Sequence, residues 1–322
     1  MPPTTPPTMP PITPPGPGSA PRFQPLTLLY VPADRPDRVA KALATDADVV
    51  IVDLEDAVAA ENKGRARAET VALLATPQPR VQIRVNDVRT PYGRADLHAL
   101  AALVTGTCGV RLPKVESAAE VREIAAALPG VPLHPLIESA LGLERAFEIA
   151  TASDAVASIG LGEADLRADL GVSGDGGLAW ARSRIVVAAR AAGLPAPTQS
   201  VYPNVRDLAG LAASCLEGRA AGFRGRTAIH PAQLPVIVDA YRPTEAEIAA
   251  AREVLAAAGQ GAVALPDGRF VDEAVVRQAR RVLELSPGGP VAGPPAEPPG
   301  EVPGAVRRDR LGRHRVPGHA GG

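Results

Sequence analysis

Short apolar runs in this chain repeatedly end on residues able to do acid–base or metal chemistry. These endings are Asp53-Leu54-Glu55-Asp56, Arg84-Val85-Asn86, Pro113-Lys114-Val115-Glu116, Glu138, Glu163-Ala164-Asp165 and His230-Pro231. Carboxylates brought together resist ionisation unless a cation compensates them. The donors are oxygens, with no Cys/His cluster, which favours a hard ion, magnesium before zinc. Arg84 beside them suits a substrate carboxylate, because the guanidinium fork matches two oxygens. Each residue also has a plainer reading. Asp53, Glu55 and Asp56 can pair with Lys63 or Arg67 as structural ion pairs. Glu138 can be an acid at a helix N-terminus, Asp165 a helix cap, and His230 a strand-end residue with a satisfied ring. The coincidence of many such residues at strand ends carries the argument; no single one does.

The elements that must position them alternate. β-rich runs fall at 27–31, 48–53, 81–85, 109–112, 132–137, 155–161, 198–202 and 225–229. Ala-rich amphipathic stretches lie between them, for example at 36–44, 63–74, 118–127, 142–150, 177–192 and 205–221. Strands alternating with helices predict a parallel sheet. Eight of them predict an α/β fold of the (β/α)8 TIM-barrel type, with an open doubly wound sheet as the rival. No GxGxxG follows the first strand, which weakens a dinucleotide-binding version of that rival. In parallel barrels the chemistry sits at the C-terminal strand ends, where these residues fall. Two further helices are expected, at 244–258 and 272–285.

The chain of 322 residues is ordinary for one barrel. Hydrophobic residues are 46% and aromatics 3%, so the core must be aliphatic. A net charge of -1 provides no bulk attraction to nucleic acid or an anionic membrane. Cys108 and Cys215 do not make a disulfide scaffold and read as small hydrophobes. No apolar run is long enough to span a bilayer, and prolines interrupt the N-terminus where a signal peptide would need an apolar core. A cytoplasmic enzyme is expected. The expected organisation is a Pro-rich disordered tail at 1–25, the barrel at 26–242, a helical extension at 243–285 and a Pro/Gly/Arg-rich tail at 286–322. The basic stretch 307–315 reads as solvated tail.

In order and spacing, these motifs resemble the citrate lyase beta subunit group of the HpcH/HpaI aldolase/citrate lyase family. The resemblance covers about residues 27–285. It is carried by Leu28-Leu29-Tyr30-Val31-Pro32, Asp53-Leu54-Glu55-Asp56-Ala57-Val58 with Lys63 and Arg67, Arg84-Val85-Asn86, Leu112-Pro113-Lys114-Val115-Glu116-Ser117, Leu136-Ile137-Glu138-Ser139, Gly160 to Asp165, Gly222-Phe223 and Ala228-Ile229-His230-Pro231. The chain departs from the pattern at Leu26-Thr27, at Ala33, at Gln199, where an aspartate is common, and at Arg226, where a lysine is usual.

The resemblance implies a TIM barrel assembled as a homotrimer. It implies magnesium held by Glu138 and Asp165, with Arg84 on the keto-acid portion of the substrate. The expected substrate is an acyl-CoA thioester, with Asn86, Pro113 and Lys114 as further binding residues. Glu55 and Asp56 are catalytic candidates beside Arg84, and Asp272 is expected to reach a neighbour's site as an acid. The implied reaction cleaves a carbon–carbon bond of a citryl-, malyl- or citramalyl-CoA type thioester, with thioester hydrolysis or synthesis as close variants. The alternative of another class is a non-catalytic CoA- or metal-binding barrel acting as a regulatory partner; the departures at Leu26 and Gln199 keep it open, and the retention of Glu138, Asp165 and Arg84 favours the enzyme. A pyruvate-type aldolase without CoA is a third reading; the Asp53–Asp56 segment and Asp272 favour the CoA branch.

Overall fold

The computed structural model describes residues 24–258, 263–264 and 270–286. The greater part of both expected tails, and the basic stretch 307–315, lie outside the described residues. Seven parallel strands form one sheet: β1 (Thr27–Pro32), β2 (Val49–Asp53), β3 (Gln78–Arg84), β4 (Thr107–Leu112), β5 (Leu133–Ile137), β6 (Gly160–Leu161) and β7 (Arg226–Ala228). Their order is β6-β5-β4-β3-β2-β1-β7, a curled half-barrel. All five residues of β2, Val-Val-Ile-Val-Asp, are buried, as a parallel strand covered on both faces requires.

The helices are α1 (Pro36–Leu43), α2 (Lys63–Leu73), α3 (Pro91–Leu100), α4 (Ala118–Ala127), α5 (Ala140–Glu144), α6 (Ala146–Ala150), α7 (Glu163–Leu170), α8 (Ala179–Ala191), α9 (Leu208–Ala220), α10 (Gln233–Tyr241), α11 (Glu245–Ala257) and α12 (Glu273–Glu284). Several start where the sequence supplies a side-chain acceptor for an orphan amide: Thr90 for α3, Ser117 for α4, Ser139 for α5 and Asp207 for α9. Thr244 and Glu247 form a reciprocal capping box on α11. The main core is mostly aliphatic, with Phe223 and Tyr241 its buried aromatics, and lies between the sheet and its helices; α11 and α12 pack around a smaller cluster of their own.

The sheet corrects two expectations. The run 155–161 shortens to the two-residue β6, preceded by a single bridge from Leu133 to Val156. The run 198–202 forms no strand. Only Gln199 bridges, to Arg226, exchanging bonds with Gly225 and Thr227 at 3.0 Å each. Prolines at 195, 197 and 203 bracket this segment and cannot donate to a ladder. A seam therefore remains between β6 and residues 198–202. It is crossed by the Ser200 hydroxyl, which donates to the Leu161 carbonyl and accepts from the Glu163 amide. A short antiparallel pair, β8 (Val263–Ala264) with β9 (Phe270–Val271), was not expected.

Candidate active site

Parallel register brings the polar strand ends side by side. Asp53 pairs with Arg84 across β2 and β3, and Arg84 with Arg111 across β3 and β4. They open into a cavity of about 740 Å³. Asp53, Asp56, Arg84, Glu138 and Asp165 line it, together with Tyr30 and Arg111.

Arg84 is the hub. Its Nε and Nη2 grip both oxygens of Asp53 at 2.7 and 2.6 Å. Its Nη1 faces Glu55 Oε2 at 2.9 Å, off the hydrogen-bond axis, and Asp56 Oδ2 at 3.3 Å. The guanidinium also lies 4.7 Å from the centre of the Tyr30 ring. Asp53, Glu55 and Asp56 thus do not pair with Lys63 or Arg67: the first is held by Arg84 and the other two lie between Arg84 and Lys114. Lys63 instead donates to the backbone oxygens of Leu54 and Glu55 at 2.7 and 2.6 Å, and Arg67 binds Asp96 at 2.7 Å. Such cross-strand pairings follow from register, which spacing along one segment does not show.

Lys114 follows β4 with φ 55°, the one non-glycine in the left-handed region among the described residues, a conformation that is costly away from glycine. The turn aims its ammonium at Glu55 Oε1, 2.6 Å away, and brings it to 4.0 Å from Glu138 and 3.9 Å from Asp165. Burial opposes its charge, but the bond to Glu55 and the neighbouring carboxylates raise its pKa. Pro113 before it is buried.

Glu138 directly follows β5, is buried, and accepts the Lys114 amide at 3.0 Å. Burial, reinforced by the Glu55 charge, pushes its carboxyl up to about 8; Lys114 and Arg84 offset this only in part. Gly162 makes room for it: a side chain there would strike Glu138 first. Asp165 sits in the first turn of α7 rather than at its cap, which is Gly162, and its side chain is 46% exposed. Among the described residues no three His, Cys, Asp or Glu form a metal-holding group. The protein offers two carboxylates, and one of them is buried and short of compensating charge. That donor set fits a hard divalent ion whose remaining ligands are water and substrate oxygens.

Not every expected residue joins them. Asn86 turns to Asp96, donating to it from both its backbone and side-chain nitrogens at 3.0 and 2.7 Å. Asp272 is exposed, lies outside the cavity wall and accepts the Val275 amide at 2.9 Å as the cap of α12. His230 is exposed, its Nδ1 accepting the Ala232 amide. Residues that sequence reasoning missed are Tyr30 and Arg111. Arg111 is buried and holds Gln82 Oε1 with Nε and Nη2 at 3.2 and 2.9 Å. Its signal was an arginine inside an otherwise apolar strand, alternating inward. Beneath it, His134 is held near 4 by burial and the Arg111 charge, so it is neutral.

Known proteins share this arrangement's sequence and shape. A family model described as HpcH/HpaI aldolase/citrate lyase matches residues 26–231. A citrate lyase subunit beta-like protein of Mycobacterium tuberculosis is 41% identical over 267 residues, covering 79% of this chain and 93% of that protein. A (3S)-malyl-CoA thioesterase of Cereibacter sphaeroides is 37% identical over 273 residues, covering 80% of this chain and 93% of that protein. The crystal structure of the protein CitE from M. tuberculosis in complex with magnesium, acetoacetate and coenzyme A superposes with a TM-score of 0.71 at 40% identity, over 81% of this chain and 97% of that one. With the motif order, the strand-end carboxylates and these likenesses in agreement, the chain belongs to the HpcH/HpaI aldolase/citrate lyase family.

Proposed function

We propose that this enzyme is a magnesium-dependent carbon–carbon lyase that cleaves a 3-hydroxyacyl-CoA thioester of the citryl, malyl or citramalyl type to an acyl-CoA and a keto acid. The observation carrying this is Glu138, a buried carboxyl pushed up to about 8 in the same cavity as Asp165. The likeness to a protein complexed with magnesium, acetoacetate and coenzyme A, and to one complexed with oxaloacetate and magnesium, supports the ligand classes. In this reading Glu138 and Asp165 hold the ion, which when bound acidifies the substrate hydroxyl as a Lewis acid.

The chain's own residues do the rest. The substrate carboxylate docks on Arg84 Nη1, displacing Asp56, whose side chain is 58% exposed and 3.3 Å away. The freed Asp56 takes the hydroxyl proton as the carbon–carbon bond breaks. Glu55 holds Arg84 and Lys114 in register, and the Lys114 ammonium compensates charge gathering on the thioester oxygen. Asp272 delivers a proton to the new carbanion carbon. Because it lies outside its own chain's cavity, it acts on a neighbouring subunit of a homotrimer. The eight-unit barrel completes the reading, with 198–202 standing in the place of its seventh strand.

The likeness to a (3S)-malyl-CoA thioesterase supports a second reading, hydrolysis of the thioester itself. One experiment separates them. Purified protein with magnesium is incubated with a panel of 3-hydroxyacyl-CoA thioesters. The lyase is expected to release a keto acid and a shortened acyl-CoA, and the hydrolase free CoA and the intact hydroxy acid. Absence of both sets of products across the panel removes both readings.

A further inference from the structure

The cavity continues past its mouth, along the seam between β6 and residues 198–202, to Arg226 on β7. Arg226 is only 4% exposed. Its Nε donates to the Ser200 carbonyl at 3.0 Å, and its Nη1 to Gln199 Oε1 at 3.2 Å and Ser214 Oγ at 3.0 Å. All of these acceptors are neutral. No carboxylate pairs with Arg226 among the described residues. Asp207, near in sequence to Tyr202 against which Arg226 stacks, is occupied by the Tyr202 hydroxyl at 2.6 Å and the Gly210 amide at 2.8 Å. Nη2 has no protein acceptor among the described residues. Of the other arginines of this wall, Arg84, Arg167 and Arg182 are each closed by carboxylates, while Arg111 directs its Nε and Nη2 to Gln82 Oε1.

The neutrality is built in. Gln199 accepts the Tyr241 hydroxyl on Oε1 at 2.6 Å and donates from Nε2 to the Ser214 carbonyl at 3.1 Å. Those two bonds fix the amide so that its oxygen, not its nitrogen, faces Arg226. A guanidinium kept out of water with no counter-charge is costly until an anion arrives.

We propose that Arg226 forms a second anion subsite of the cavity, which takes an additional carboxylate on the acyl portion of the substrate. The subsite favours an acyl group with a carboxymethyl arm over one with a methyl or a hydrogen there. The inference rests on the lyase reading and refines its substrate class. Gln199 is the positioning residue: it orients the arginine while leaving its charge for the ligand.

Titration calorimetry with citrate and with citramalate, which has a methyl in place of one carboxymethyl arm, tests this. At saturating magnesium the unaltered protein is expected to bind citrate roughly tenfold or more tighter, the gain of one charged hydrogen-bonded contact. Gln199→Asp supplies an internal counter-ion. It should bring the two affinities within about twofold of each other, leave citramalate unchanged and hold or raise the ligand-free melting temperature. Gln199→Glu serves if the shorter side chain disturbs folding. Citramalate binding without any preference for citrate, or a preference surviving in a folded variant, overturns the subsite and leaves the magnesium reading standing. If neither anion binds with magnesium, that reading fails. The subsite is then judged in chelator by thermal shift, where the unaltered protein must be stabilised by these anions and the variant must not; equal shifts overturn it.

Discussion

Burial and the nearby charge of Glu55 hold the Glu138 carboxyl protonated up to about pH 8 when no cation is bound, against a usual value of 4.5. Its folded pKa is raised, so the stability it confers is fully present below about 4.5 and is lost as pH climbs through about 8. The metal-free protein should therefore weaken across that window by an amount on the order of a few kcal/mol. Glu138→Gln should flatten the decline, which denaturation at several pH values will show. Magnesium must displace the same proton, so its affinity should rise about tenfold per pH unit below 8 and level off above it. A magnesium affinity indifferent to pH, or undiminished in Glu138→Gln, would remove Glu138 as a ligand. Asp272 poses a different problem, since among the described residues its side chain's one bond is the cap of α12. Asparagine caps equally well. Asp272→Asn should thus keep its melting temperature and lose roughly a hundredfold in turnover; unchanged turnover makes the cap its whole role.

At the level of elements, the loop from β6 into α7 exists to seat β5's carboxylate. At Gly162 a methyl meets Glu138 Oε1 first and its Cδ and Cγ at 2.6 Å. Gly162→Ala should cost about 1 kcal/mol in denaturant unfolding, because the carboxyl can swing aside. Magnesium binding should fall about tenfold or more, because the swing misplaces the ligand. Intact affinity would show the carboxyl has slack. These elements were legible to unequal degrees. Strands β1 to β5 stood out as short apolar runs, of which only β2 is β-branched nearly throughout, and Glu138 and Arg84 as their last or next residues. The helix at Pro91–Leu100 was not among the stretches named, although its Thr90 cap with a following proline is a local start signal. The run 198–202 looks like a strand by composition, yet donor-poor prolines and two hydrogen-bonding side chains turn it into the wall of a seam. Arg84's partners were not legible at all, because Asp53 comes to it through register between strands that are 31 residues apart at that pair.

The molecule as a whole raises the question of which chain serves which site. If Asp272 works on a neighbouring subunit, Glu138→Gln and Asp272→Asn each silence a pure assembly, but a mixed one contains sites with both residues intact. Mixing the two inactive variants under subunit exchange should restore a fraction of turnover; a mixture as inactive as its parents would show that the carboxylate acts within its own chain or not at all. A second consequence concerns the separate cluster of Ala251, Val254, Val271, Val276 and Ala279 that joins α11 to α12. The main core draws its buried members from residues 29 to 241 and includes none of these. A helix pair with a private core can open as its own cooperative unit, at a lower free energy than the sheet. In native-state hydrogen exchange, the amides of α11 and α12 should therefore exchange together through a sub-global opening, while β1 to β5 exchange only when the entire chain unfolds.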